Sequence, residues 1–343
     1  MPAPPALPAL NIGPYAVRPA VALAPMAGIT DKPFRQLCRD FGAGWAVSEM
    51  IISDPALQHT RKTLHRTDHA GESGVIAVQI AGSDPAQMAA AAQYNVARGA
   101  QVIDINMGCP AKKVCNVAAG SALLQNEALV GDILRAVVQA VDVPVTLKTR
   151  LGWSDDHKNI RTIARLAEDA GIAALAIHGR TRTQMYRGAA EYDLIAEVKQ
   201  QIRIPLWVNG DINSPHKAAA VLAHTGADGV MIGRGAQGQP WLFGDIRHYL
   251  QHGRLPAPLS FQAASAQVLA HIAAMHDFYG EYTGVRTARK HIGWYLAALP
   301  DGDAARRELN GIDSAAGQYD RLAAFLQQCG QQYSHWPCAW RIS

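Results

Sequence analysis

Eight short runs of aliphatic and β-branched residues recur along the first 252 positions of this 343-residue chain, each followed by a stretch of helical periodicity. They begin at Val21, Trp45, Val75, Val102, Val143, Ala174, Pro205 and Gly229, between 24 and 41 residues apart. That interval holds one strand, one helix and two loops. Strands that are apolar almost throughout, alternating with helices, belong to a parallel sheet covered by helices. Eight such units within roughly 250 residues have the size of a closed (β/α)8 TIM barrel. A doubly wound open sheet is the rival, but eight regular units favour closure.

The pattern changes after residue 252. GRLPAPLS (253–260) reads as a linker, and helical stretches follow near 261–279, 285–298, 303–310 and 315–328. The expected organisation is an α/β barrel over 1–252 and a helical domain over 253–343. In the latter, Arg286, Arg289 and Lys290 share one helical face with His291 next to them, while Val285, Ala288, Ile292 and Tyr295 share another. A basic face of this kind is ordinarily only a solvated surface.

Composition narrows the classes further. Apolar residues make up 49% and charged residues 17%, a globular balance, and the net charge is only +4. No run approaches ~18 uninterrupted apolar residues, so a membrane span is not expected. The proline-broken start has no Lys or Arg before Arg18, unlike a secretory signal. Five cysteines without a CxxC pair argue against a disulfide scaffold or a metal site. A reducing, cytoplasmic setting and a monomer are the expectation.

Polar residues stand at the C-terminal ends of the strands: Met26, Glu49, Gln79, Asn106, Lys148, His178, Asn209 with Asp211, and Arg234. A barrel gathers those ends on one rim, where active sites of this fold lie. The last two strands end in VNGDI (208–212) and IGRGAQGQPW (232–241). Glycines at Gly210, Gly233 and Gly235 let backbone N–H groups approach an anion, a helix near Pro240 adds its positive end, and Arg234 offers a charged contact. The loops after strands seven and eight are where barrels commonly bind phosphate. Lys148 can hold an anionic cofactor or form a Schiff base; a rim salt bridge with Glu49 or Asp211 is the plainer reading. A lone His178 would more often be structural; Arg180, Arg182 and Arg187 after it bring a functional place level with that reading.

Cys109 opens the loop after the fourth strand, between Gly108 and Pro110, with Lys112 and Lys113 nearby. A rim thiol can exchange a proton, and neighbouring cations would lower its pKa. Cys115 is a competing thiol.

Together, APMAGITDKPFR (24–35), INMGCPAKKV (105–114), HGRTR (178–182), NGDI (209–212), IGRGAQGQPW (232–241) and RTARKHIGWY (286–295) resemble the tRNA-dihydrouridine synthases, most of all their bacterial B-type branch. The likeness runs from about Val21 to Phe325. It implies a flavin barrel followed by a helical tRNA-recognition domain, with FMN across the barrel mouth and its ring near Pro25, Met26 and Ala27. Gln79, Lys148 and His178 would lie at the isoalloxazine, and Asn209, Gly210, Asp211, Gly233 and Arg234 at the ribityl phosphate end. Cys109 corresponds to the catalytic cysteine, and Asn106 lies near the target base. The family reduces the C5–C6 bond of D-loop uridines with NADPH or NADH as reductant. Beside such a barrel Arg286, Arg289 and Lys290 become expected phosphate contacts.

The loop VCNVAAG (114–120) departs from the family's more basic stretch, and the tail from Cys329 to Ser343 lies beyond the likeness, expected as an apolar strap on the helical domain. Two other classes fit parts of the chain. A Schiff-base aldolase would use Lys148 but has no need of Cys109. A non-catalytic RNA-binding protein would not keep the rim residues. A flavin enzyme acting on a free pyrimidine lies closer than either, sharing the barrel and the cysteine, but leaves 251–343 unexplained.

Overall fold

The structure, a computed structural model, describes residues 10–54, 56, 60–115, 119–338 and 340. The proline-rich start (1–9), residues 116–118 of the loop after Cys109 and the last three positions lie outside the described residues, as do the side chains of Lys112 and Lys113.

Each of the eight sequence runs forms a strand. In spatial order the parallel sheet runs Trp45–Ala46, Val21–Leu23, Gly229–Ile232, Leu206–Asn209, Ala174–His178, Val145–Arg150, Val102–Met107, Ala77–Ala81 and Ile51–Ile52. The first and last of these are pieces of one stretch of chain, and Val47 bridges Ala77 to close the circle. From Val47 to Ile51 the chain takes four steps while its partner takes three, from Ala77 to Ile80. One residue is therefore extra, a bulge that interrupts pairing beside the rim, where bulges commonly re-aim side chains.

Two apolar layers hold the barrel. Outward-facing Ile103, Ile105, Leu147, Leu175, Ile177 and Val208 pack beneath the surrounding helices. Inward-facing positions are mostly small, among them Ala22, Ala24, Ala77, Ala174 and Ala176, and the space they leave is filled by Trp45 and Trp207, stacked with centroids 5.8 Å apart. An antiparallel hairpin, Leu10–Ile12 with Tyr15–Val17, plugs the bottom with Leu10, Ile12 and Val17. It was not expected from the proline-rich start. Its turn is Gly13-Pro14, with Gly13 at φ 55°, a left-handed conformation that glycine adopts freely.

Beyond the barrel helix Leu242–His252, helices Phe261–Tyr279, Glu281–Leu296, Gly302–Asn310 and Ala315–Gly330 form a second core around Phe261, Ile272, Tyr295, Leu322 and Phe325. Val285, Ala288, Ile292 and Tyr295 are buried, as the helical face required. Trp336 of the tail stacks on Phe261, but Trp340 returns to the barrel, where its indole Nε1 donates to Gln239 Oε1 at 3.2 Å. The tail thus touches both bodies. No helix among the described residues is long and apolar enough to cross a membrane.

Candidate active site

Alternation along a strand sends every second side chain into the barrel. On Val102–Met107 these are Val102, Asp104 and Asn106; on Val145–Arg150 they are Thr146, Lys148 and Arg150. The lower members fill the interior and the upper ones open into a cavity of about 780 Å³ at the C-terminal rim. Pro25, Met26, Ala27, Gln79, Asn106, Cys109, Lys148, His178, Asn209, Gly210, Asp211, Gly233 and Arg234 all line it. The barrel residues expected at the cofactor and the target base therefore meet at one place, whereas Glu49, Cys115, Arg180, Arg182 and Arg187 do not line it.

A buried polar chain fixes the backbone that carries the thiol. Asp104 accepts from Thr146 Oγ1 at 2.6 Å and from Gln79 Nε2 at 2.7 Å. With its amide nitrogen so occupied, Gln79 offers Oε1 to Asn106 Nδ2 at 2.8 Å. Asn106 is left with Oδ1 turned to the rim, where it accepts the backbone N–H groups of Gly108 (3.1 Å) and Cys109 (3.0 Å). Each amide has only one orientation that satisfies both neighbours, because an ionised carboxylate can only accept. Burial raises Asp104 to about 6, against the pull of its two donors and Lys148, so the group is mostly charged at neutral pH. Asn106 and Gln79 are thus more than wall residues. Asp104 escaped the sequence reading, although its spacing of two from Asn106 marks the same inward face.

Cys109 is half-buried, and its carbonyl is fixed by Ser121 through Oγ at 2.8 Å and N–H at 3.1 Å. The expectation that cations would depress its pKa is reversed. Burial is the largest influence and pushes the thiol up; the backbone N–H of Ala111 and the charges of Arg150 and Lys148 oppose it without winning. Cys115 Sγ lies 3.6 Å from the Cys109 carbonyl oxygen, turned toward the loop backbone.

Cations dominate the adjoining wall. Lys148 Nζ donates to Asn209 Oδ1 at 3.1 Å, and Asn209 Nδ2 to the Met231 carbonyl at 2.7 Å. The rim salt bridge considered for Lys148 does not form: Glu49 pairs with Arg66, and Asp211 with Arg180 and Arg234. Burial, assisted by Arg150, lowers Lys148 to about 8. Burial and the surrounding Arg150, Lys148, Arg180 and Arg234 hold His178 well below its usual value, so it is neutral, and its buried Nδ1 meets no protein partner.

Asp211, at φ 46°, spends its carboxylate on Arg180 (2.9 and 2.5 Å), Arg234 (3.2 Å) and the Ala190 N–H (2.8 Å). It orients Arg234 over the cavity, where the guanidinium lies 4.5 Å from the Tyr186 ring centroid. Arg150 was also missed, though it stands two residues from Lys148 on the same strand face. It is 3% exposed and donates to the carbonyls of Gly108, Thr181 and Met185, with no carboxylate pairing it among the described residues.

The helical-domain residues stand apart from this cavity. Arg289 pairs with Asp313 at 3.0 Å, and Arg286 approaches the same carboxylate at 3.9 Å while stacking on Tyr282. Lys290 turns to the barrel and donates to the Gly28 carbonyl at 2.6 Å. His291 is no part of a cationic face. It is buried against Phe34 and His271, and burial holds it neutral.

A parallel eight-unit barrel with a recessed thiol, an oriented amide chain and a wall carrying more cations than carboxylates has the make-up of an enzyme site suited to an anionic ligand. Comparison with known proteins narrows that reading. The family model for dihydrouridine synthase (Dus) matches residues 22–330. The chain is 60% identical over 309 residues to tRNA-dihydrouridine synthase B of Xanthomonas campestris pv. campestris, covering 90% of this chain and 93% of that one. It is 56% identical to the proteins of the same name from Pseudomonas syringae pv. tomato (93% and 95% covered) and Vibrio parahaemolyticus (92% and 98%). The chain belongs to the dihydrouridine synthase family, whose members are flavin-dependent TIM-barrel enzymes.

Proposed function

We propose that this chain reduces the C5–C6 double bond of a uridine in the tRNA D-loop, with FMN held across the barrel mouth and NADPH or NADH as reductant. The observation that carries the reading is the single cavity shared by Cys109, Asn106, Lys148 and the two glycine loops. Its volume suits a cofactor-sized ligand. Lys148, Arg234 and the unpaired Arg150 supply positive charge without a matching excess of carboxylates, and His178 Nδ1 is an unanswered polar atom beside them. These features fit an anionic flavin nucleotide.

Arg234, with the backbone of Asn209–Asp211 and Gly233, would hold the phosphate end, and Pro25, Met26 and Ala27 the ring. Reduced FMN, when bound, supplies the hydride equivalent that reaches C6 of the uracil. Cys109 gives C5 its proton, which requires a thiol that is still protonated at that moment. The raised pKa keeps it so at neutral pH. Lys148, charged below about 8, counters negative charge accumulating in the cavity. The target base must leave its stack to reach this recess. We assign residues 1–252 to the catalytic barrel and 253–343 to tRNA recognition, where Arg286 and Arg289 would exchange Asp313 for backbone phosphates.

Purified protein should be yellow, release FMN on denaturation, and form dihydrouridine in tRNA given NADPH. A colourless protein with full activity would remove the cofactor from this reading, and reduction of free uracil but not tRNA would move it to a pyrimidine-reducing enzyme.

The orienting chain makes its own demand. Asp104→Asn removes the charge and, because the Thr146 hydroxyl can turn to accept, lets either orientation of the new amide be satisfied, so Gln79 and Asn106 lose their enforced orientations. A hydrogen bond to a charged group contributes about 1.5–3 kcal/mol, so single-turnover dihydrouridine formation should slow at least about tenfold. Flavin reduction by NADPH should change much less. Equal slowing of both half-reactions would show that Asp104 shapes the whole mouth and not the Cys109 loop.

A further inference from the structure

The rim loop from Ala24 to Thr30 is a tight turn closed on itself: Met26 N–H donates to Thr30 Oγ1 at 2.8 Å, and the N–H groups of Ile29 and Thr30 return to the Met26 carbonyl at 3.0 Å. Gly28 stands at its tip with φ 74°. Both peptide groups there are taken from outside the loop. The Gly28 N–H donates to Glu49 Oε1, and Glu49 is itself held by Arg66 at 3.1 Å. The Gly28 carbonyl accepts from Lys290 Nζ at 2.6 Å, across 262 residues of chain. A Cβ on Gly28 would lie 3.2 Å from that nitrogen, so the approach is close.

One helical turn further along, the same helix braces the loop that follows the adjoining strand, Gly229–Ile232. Trp294 lies over Gly238, φ 73°, so closely that a Cβ there would meet its carbonyl oxygen at 2.5 Å. The neighbours Gln237 and Gln239 line the cavity, as Met26 and Ala27 do on the first loop. A third contact secures the pair: Tyr279 Oη donates to Asp31 Oδ2 at 3.0 Å, immediately after the first loop.

We propose that helix Glu281–Leu296 is a brace across the two loops that hold the flavin, and that Lys290 is a positioning residue for the cofactor and not a tRNA phosphate contact. The proposal rests on the flavin reading above. Lys290 touches neither cofactor nor substrate; it acts through the Gly28 carbonyl, fixing the height of Pro25, Met26 and Ala27 over the cavity. The helix that carries Arg286 and Arg289 toward RNA is thereby also part of the cofactor site.

The test uses the full-length protein, stripped of flavin and titrated with FMN, as wild type, Lys290→Met and Lys290→Arg. Loss of one hydrogen bond at the loop tip should raise the FMN dissociation constant about three- to tenfold in Lys290→Met, with altered visible flavin bands. Lys290→Arg, which keeps a donor, should restore most of both. Affinity of the FMN-saturated variants for tRNA, measured across salt, should keep its wild-type slope. Unchanged flavin binding with a salt slope reduced by about 0.7–0.9 would make Lys290 a phosphate contact and overturn the proposal. Equal flavin loss in both variants, with a lowered unfolding temperature, would reduce the contact to general packing and overturn it as well. A wild-type protein that binds no FMN would instead sink the flavin reading itself.

Discussion

Cys109→Ala abolishes dihydrouridine formation while NADPH still bleaches the flavin at close to the wild-type rate: this is the expected result of separating the two half-reactions. The thiol acts only when C5 of the uracil takes its proton, and general-acid catalysis of this kind contributes about 10²- to 10⁴-fold. The geometry gives the loss nowhere to be recovered. Lys148 is bonded to Asn209, Arg150 donates to three carbonyls, and neutral His178 is walled by cations that disfavour its protonation. Cys115→Ala should be near neutral by comparison. Among the described residues its sulfur reaches the Cys109 carbonyl and Ser121, and that carbonyl keeps two stronger partners in the Ser121 hydroxyl and N–H. The measurement is stopped-flow flavin absorbance without tRNA, paired with dihydrouridine quantified after a fixed time with it. If Cys115→Ala proves the damaging change, the proton donor has been assigned to the wrong thiol.

The barrel was legible because its signal is redundant. A parallel strand covered on both faces must be apolar almost throughout, so polar residues toward its C-terminal end mark the rim, as Gln79, Asn106, Lys148, His178 and Asn209 do. What lies one layer deeper was hidden by the same rule. Asp104 sits inside an apolar run and is tolerated only because Thr146 and Gln79 answer it, a condition set by neighbouring strands and not by neighbours in sequence. The sign of the Cys109 shift was misjudged for a related reason. Nearby lysines are visible in sequence, whereas burial, the larger influence, depends on how the loop folds over Val114 and Gly120. The three cations read as one helical face divide in the structure: Arg286 and Arg289 share Asp313, while Lys290 reaches the Gly28 carbonyl. Only the packing of one body on the other turns Lys290 toward Gly28 and leaves Arg286 and Arg289 outside.

A chain ending at residue 252 should fail to give a monodisperse, flavin-binding barrel. The linker invites the opposite expectation, and the two apolar cores do form around separate sets of residues. The surface between them, however, is not one that water would accept. Phe34, fully buried on helix Lys32–Asp40, packs its ring against His271 and His291 at centroid distances of 5.6 and 5.0 Å. Trp241 is clamped between Phe41 and Trp336. Cutting the chain returns these faces to solvent, at about 1.5–3 kcal/mol for each large side chain. Three such groups approach the ~5–15 kcal/mol that holds a typical domain together. Truncation also removes the Tyr279 hydroxyl from Asp31, whose buried carboxyl already sits at about 6, and strips Lys290 and Trp294 from the two rim loops. The exposed patch would favour self-association, and the loosened loops would release FMN even from molecules that fold. Size-exclusion chromatography with flavin absorbance recorded across the profile decides the matter. A sharp monomeric peak for residues 1–252 that carries stoichiometric flavin would show that the barrel sustains its own mouth and that the helical domain merely docks on it.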